Sequence, residues 1–238
     1  MRIIISLMIW VAGAFLTIIL FFVVLFLTLA LLPFDKKRKV GHAQCYWWAN
    51  SICRLNPYWN VEVEGIENID PHQTYVIVAN HQSMADIIVL YKTHMQFKWV
   101  AKESLFKVPF LGWNLSLIRH IRLLRGRFGS IKKVLQKAAW WLRNDVSVLF
   151  FPEGTRSSTG EMSKFQNGAF KLAIKEKKPI LPIRVEGTKE AIPKGGWLFK
   201  TRVNGKVTVL PPVDTSDFKT GDFRQLNNII WSQLASVA

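Results

Sequence analysis

The residues able to do chemistry fall in two short polar runs, each at the end of an apolar stretch. The first is Asn80-His81-Gln82-Ser83-Met84-Ala85-Asp86, which follows Tyr75-Val76-Ile77-Val78-Ala79. A carboxylate five residues after a histidine can accept from one ring nitrogen and fix the tautomer, and the other nitrogen is then able to take a proton. On its own this pair is weak evidence, because a hydrogen-bonded turn histidine has the same spacing. The second run is Pro152-Glu153-Gly154-Thr155-Arg156-Ser157, after the apolar stretch Ser147 to Phe151. Glu, Thr and Arg at a strand end, with Gly allowing close backbone approach, make a site for an anionic ligand, the alternative being a solvated turn. His81 and Asp86 have no further ligands at metal spacing, so no metal site is expected. No Gly-x-Ser-x-Gly elbow is present, which argues against a serine acyl-enzyme. Cys45 and Cys53 form no framework and read as reduced thiols.

These runs need a scaffold that brings strand ends together. Val61-Glu62-Val63-Glu64 alternates as a half-exposed strand does, and Tyr75 to Asn80 is continuous and β-branched as a buried strand is. Further strands are expected at Lys98 to Ala101, Ser147 to Phe151, Pro179 to Val185 and Lys206 to Leu210. Gly129 to Arg143 carries Ile131, Val134, Leu135, Ala138 and Leu142 at helical spacing, and helices are also expected at Phe165 to Lys175 and from Asp222 onward. The alternation predicts an α/β fold with a mostly parallel central sheet flanked by helices, preceded by an N-terminal membrane helix. In such sheets, ligands bind at the carboxyl ends of the strands, where both polar runs sit. Trp113, Trp140 and Trp141 are read as packing residues.

From Ile3 to Leu32 no residue is charged, and the run exceeds the roughly 20 apolar residues that a span needs. As one helix it would reach about 45 Å, so it must tilt, protrude or break in a hydrocarbon core of about 30 Å. It is too long for the apolar core of a cleaved signal peptide. Lys36-Lys37-Arg38-Lys39 follows it, with only Arg2 on the other side, which places the remainder in the cytoplasm. Three parts are expected: a membrane anchor over 1–34, a basic and aromatic interfacial segment over 35–59, and a cytoplasmic α/β domain over 60–238. The middle segment carries Tyr46, Trp47, Trp48, Tyr58 and Trp59, suited to a headgroup-level helix or to a buried one. The formal net charge of +16 calls for an anionic partner: nucleic acid, an anionic bilayer or a phosphorylated small molecule.

Taken together, Asn-His-x-x-x-x-Asp and, about 70 residues on, Phe-Pro-Glu-Gly-Thr-Arg-Ser resemble the glycerolipid acyltransferase family. More narrowly they resemble the 1-acylglycerol-3-phosphate (lysophosphatidic acid) acyltransferases. Lys102-Glu103-Ser104-Leu105 with Pro109 and Gly112-Trp113, and Ile180-Leu181-Pro182-Ile183, resemble two further blocks of that family. One block departs from the pattern: Leu117 to Arg127 lacks the family's aspartate before its arginine. The resemblance implies a glycerol-3-phosphate acyltransferase-like fold. It also implies acyl transfer from acyl-CoA or acyl-carrier protein to the sn-2 hydroxyl of lysophosphatidic acid, giving phosphatidic acid. His81 would be general base and Asp86 its orienting carboxylate. Arg156 and Lys102, then Arg122 and Arg125, would hold the phosphate, the alternative for the last two being a solvated or lipid-facing cationic surface. Glu153, Gly154 and Thr155 would complete the acceptor site, unless Glu153 pairs with Arg156 and is structural. No cofactor and no nucleic acid are implied; the partners are membrane lipids, lysophosphatidic acid and the thioester donor. The location implied is the cytoplasmic face of a membrane, the inner one in a bacterium. Alternative acceptors are a lysophospholipid, a lyso-ornithine lipid or glycerol 3-phosphate. A non-catalytic, membrane-tethered module for anionic lipid is the alternative of another class.

Overall fold

A computed structural model describes residues 2–56, 59–124, 128–157, 159–192, 196–200 and 202–237; Tyr58 and Arg125 lie outside them. Helix α1 (Arg2–Ala30) leads into α2 (Lys39–Arg54), then β1 (Trp59–Glu64), β2 (Val76–Ala79), α3 (Ala85–Leu90) and β3 (Phe97–Lys102). Helices α4 (Glu103–Phe106) and α5 (Leu111–Leu117), strand β4 (Ile121–Leu123), α6 (Phe128–Arg143) and β5 (Ser147–Phe150) follow. Helix α7 (Gly168–Glu176), β6 (Ile180–Glu186), β7 (Val203–Val209) and α8 (Phe223–Ala235) complete the chain. The sheet has seven strands in the order β1-β7-β6-β2-β5-β3-β4. Strands β6, β2, β5, β3 and β4 run parallel, and β7 reverses direction against β6 and pairs in parallel with β1.

Burial explains the central strands. Every residue of β2 and β5 is buried, because both faces of the sheet are covered. Ile77, Leu149, Leu181 and Ile183 pack with Cys45, Ala49 and Ile88 from α2 and α3 on one face. Val76, Val148, Phe150 and Ile180 pack with Val134, Ala138, Phe170 and Ile230 from α6, α7 and α8 on the other.

The structure departs from the sequence expectation in several places. Strand β4 is only three residues long and arginine-bearing, so no hydrophobic period marks it. Helix α7 begins at Gly168 rather than Phe165, since Phe165 and Gln166 bond elsewhere: Gln166 N–H donates to Pro152 and Asn227 Nδ2 donates to Phe165. Among the tryptophans read as packing, Trp141 is buried, whereas Trp113 and Trp140 are 49% and 51% exposed.

Helix α1 is docked along its length. Ser6 Oγ accepts from Phe199 N–H at 3.0 Å near one end, Thr17 Oγ1 accepts from Trp48 Nε1 at 3.0 Å mid-helix, and Gly41 packs on Val24 and Thr28 near the other. Its buried stripe therefore carries the run's hydroxyls. The outward face shows Ile4, Leu7, Val11, Phe15, Phe22 and Phe26, all exposed. This is the reverse of a soluble amphipathic helix, whose polar residues face out.

A second buried cluster joins α2 to the sheet. Lys98, wholly buried, donates to the carbonyls of Ile118 at 2.7 Å and Lys37 at 3.1 Å. His42 Nε2 accepts from Phe97 N–H and His120 Nδ1 from Trp99 N–H. Burial pushes the Lys98 amine down to about 7 and His42 down to about 3, and it pushes the Cys45 thiol up to about 12.

Candidate active site

Strand β2 ends at Ala79, and the chain turns through Asn80 to Met84 before α3 begins. Asn80 fixes that turn: its side-chain amide donates to Val185 O at 2.8 Å and accepts from Val185 N–H at 2.7 Å, tying the ends of β2 and β6 together. Asp86 lies in the first turn of α3 and is wholly buried. Its Oδ2 accepts from His81 Nδ1 at 2.6 Å, Gln82 N–H at 2.6 Å and Ser83 N–H at 2.9 Å. Its Oδ1 accepts from Thr188 Oγ1. A buried carboxylate with this many donors has its charge compensated and its orientation fixed. Asp86 Oδ2 already accepts from two backbone N–H groups, so the tautomer that completes the pattern has His81 Nδ1 as donor and the lone pair on Nε2. The imidazole is 19% exposed, so it reaches solvent at one edge.

The second polar run closes on the first. The His81 ring stacks on Phe151, with centroids 4.1 Å apart and planes at 18°. Ser157 N–H donates to His81 O at 2.8 Å, and Gln82 Nε2 donates to Gly160 O at 3.1 Å. Glu153 acts as the clamp: Oε1 accepts from His81 N–H at 2.7 Å, and Oε2 accepts from the Ser163 N–H and hydroxyl at 3.0 and 2.9 Å. The sequence reading gave Glu153 a place at the acceptor; in the structure both its oxygens are engaged by protein donors.

The other expected residues divide by location. Gly154 and Thr155 are exposed and Arg156 is half-buried, directly before the Ser157 that bonds to His81. Gly154 has φ of +70° and open space where a side chain would project, so ligand can approach its backbone. Lys102 is exposed at the carboxyl end of β3, the second strand out from β2. Arg122 lies one strand further out, in register with Ala101 beside Lys102. Arg122 stands on the edge strand β4, with its guanidinium 4.7 Å from the Phe106 ring centroid. Arg125 lies outside the described residues.

The sequence motif contains Asn80 but assigns it no role, and Ser163 and Thr188 carry no motif that marks them as parts of the site. Thr188 had one available signal, the Gly187 that follows β6 at the same end of the sheet. Gly187 has φ of +71°, and a Cβ there would sit 1.8 Å from Asn204 O, so only glycine makes the turn that returns Thr188 to Asp86.

The fold and site together define an α/β protein with a carboxylate-oriented imidazole at the carboxyl edge of a parallel sheet. The chain belongs to the acyltransferase family, whose model matches residues 60–186. It is 33% identical over 181 residues to a chloroplast 1-acyl-sn-glycerol-3-phosphate acyltransferase of Arabidopsis thaliana, covering 76% of this chain and 50% of the relative. It is 36% identical over 137 residues to the 1-acyl-sn-glycerol-3-phosphate acyltransferase of Pseudomonas aeruginosa, covering 57% of this chain and 52% of the relative. The chain thus spans about half the length of these curated relatives. The crystal structure of the 1-acyl-sn-glycerophosphate acyltransferase PlsC from Thermotoga maritima matches with a TM-score of 0.80 at 26% identity, over 100% of this chain and 98% of that one.

Proposed function

We propose that this chain transfers a fatty acyl group from a thioester donor, acyl-CoA or acyl-carrier protein, to the sn-2 hydroxyl of 1-acylglycerol 3-phosphate, giving phosphatidic acid. The observation that carries this reading is the 2.6 Å pairing of His81 Nδ1 with the buried Asp86 carboxylate, at the junction of the two polar loops. The names of the relatives supply the acceptor.

In the proposed reaction, His81 Nε2 takes the proton of the acceptor hydroxyl as its oxygen attacks the thioester carbonyl. The tetrahedral intermediate collapses with cleavage of the C–S bond, and the imidazolium returns the proton to the departing sulfur. Such general-base help accounts for about 10²- to 10⁴-fold in rate. Arg156 and Lys102 supply the cations for the acceptor's phosphate, the guanidinium by paired hydrogen bonds and the ammonium as a point charge. The outward apolar stripe of α1 holds the site at the bilayer, where acceptor and product reside. A helix docked on the domain at both ends and the middle lies against the membrane and enters one leaflet rather than crossing. Exposed Lys36 and Lys39 of the basic run then add attraction to the anionic cytoplasmic surface.

The test is acyl transfer by the purified chain on a panel of lysolipid acceptors, with each donor type. Lysophosphatidic acid should be consumed fastest, and His81→Ala should fall to background. A His81→Ala protein working at the wild-type rate removes the mechanism, and no donor consumption with any lysolipid removes the function.

A further inference from the structure

We propose that the chain carries a second anion site, outside the catalytic cleft, that takes the phosphate headgroup of an acidic phospholipid. A cavity of about 460 Å³ opens at the β4 edge of the sheet, between α5, β4 and α6. Buried Phe106, Ile121 and Trp141 are part of its lining. Exposed Arg119, Arg122 and Lys137 stand around it, beside the exposed indole of Trp140. No carboxylate lines the cavity, and among the described residues none of these cations forms an ion pair. Like charges gathered on one rim repel, and a bound anion relieves that repulsion. Cations above an aromatic, apolar floor suit an amphiphile with a charged head, and the volume lies in the range of small-molecule pockets.

The cavity is separate from the proposed catalytic cleft. His81, Asp86, Lys102, Glu153 and Arg156 do not line it, and β4 stands three strands from β2, about 14 Å at the usual strand spacing. Lys102 is on the adjacent β3, in register with Leu123 rather than Arg122, so the two side chains leave opposite faces of the sheet. It adjoins the lipid-facing surface. Helix α5 packs on α1, with Phe110 and Trp113 each 5.6 Å from Phe21, and Arg119 follows α5 directly. Lys37 of the basic run pairs at 3.4 Å with Asp145, just beyond the end of α6 that carries Trp140 and Trp141. The inference rests on the membrane placement proposed above and not on the acyl-transfer reaction.

The test measures binding of the full chain to phosphatidylcholine vesicles with and without phosphatidylglycerol. Arg119→Gln/Arg122→Gln/Lys137→Gln should lower affinity for the anionic vesicles at least about tenfold. Lys175→Gln/Lys177→Gln/Lys219→Gln, which removes the same charge elsewhere, should bind nearly as the wild type does. The charge-conserving Arg119→Lys/Arg122→Lys should also weaken binding several-fold, because it loses the guanidinium fork. An unchanged thermal midpoint in that pair excludes misfolding, and if the midpoint falls, Arg122→Lys alone gives the same readout. Wild-type binding by the Arg-to-Lys proteins, or equal losses in both Gln triples, would show diffuse electrostatics and overturn the site. Displacement by soluble coenzyme A or inorganic phosphate as effective as loss of the anionic lipid would overturn the lipid assignment. Acyl transfer by the wild type, assayed in parallel, reports on the reaction separately: a chain that fails to transfer and still shows the rim effect loses the reaction and keeps the site.

Discussion

Asp86 orients His81 only as well as it is itself held, and the Thr188 hydroxyl is the part of that support furthest away in sequence, 102 residues on. Thr188→Val keeps the shape and deletes one hydrogen bond to a charged acceptor, a contact of about 1.5–3 kcal/mol. The expected result is a fall in kcat of about tenfold or more with KM little changed, recovered by Thr188→Ser; steady-state kinetics checks it. Glu153→Gln should cost more than its near-identical shape implies. The carboxylate accepts at both oxygens, from His81 N–H and from Ser163, and an amide must turn a donor toward one of them. Thermal midpoint and activity should fall together. At this scale the sequence was readable where partners are neighbours. His81 and Asp86 lie five positions apart, whereas Asn80 with Val185 and Asp86 with Thr188 meet only once β2 and β6 are paired. The place of Arg122 on the edge strand β4 was not legible, because a chain of arginines gives no sign of which strand position each occupies.

Among the elements, the buried cluster joining α2, β3 and the segment after α5 predicts the pH profile of stability. The Lys98 amine sits near 7 when folded against an ordinary 10.5, so between those values the unfolded chain holds a proton that the folded one lacks. Stability therefore rises with pH above 7. The Cys45 thiol works in the opposite sense: at about 12 folded against 9.0 ordinarily, it makes stability fall above pH 9. The thermal midpoint should climb from pH 7 to 9 and then flatten or turn, and Lys98→Met should lose the climb; a pH series by calorimetry checks it. Gly187→Ala should destabilise strongly and detach Thr188, because Asn204 O occupies the space a methyl needs. Strands β2, β5 and β6 were legible because burial on both faces leaves continuous apolar runs. Strand β4 and helices α3 to α5 were not, since three to seven residues hold too little of any period.

For the whole molecule, the inverted polarity of α1 matters most. Its apolarity was plain in the sequence, but which side carries the hydroxyls was not, because only the docked domain defines an inside. Phe15→Lys with Phe26→Lys places two charges on the outward stripe, away from the ring contacts that Phe21 and Phe22 make with Phe110. Vesicle co-sedimentation should drop sharply while circular dichroism stays unchanged. The docking of Ser6 onto Phe199 also bears on biogenesis. The two residues are 193 positions apart, so at ordinary translation rates about 10–40 s separate their synthesis. Through that interval the Ser6 end of the helix lacks its partner, and a bilayer is a solvent that suits its apolar outward face. Thr17 already satisfies its own hydroxyl on Gly13 O at 2.7 Å, one turn back, which lets it wait in lipid. The Ser6 end of α1 thus completes its docking long after Trp48 has reached Thr17, and one helix is anchored in two well-separated stages.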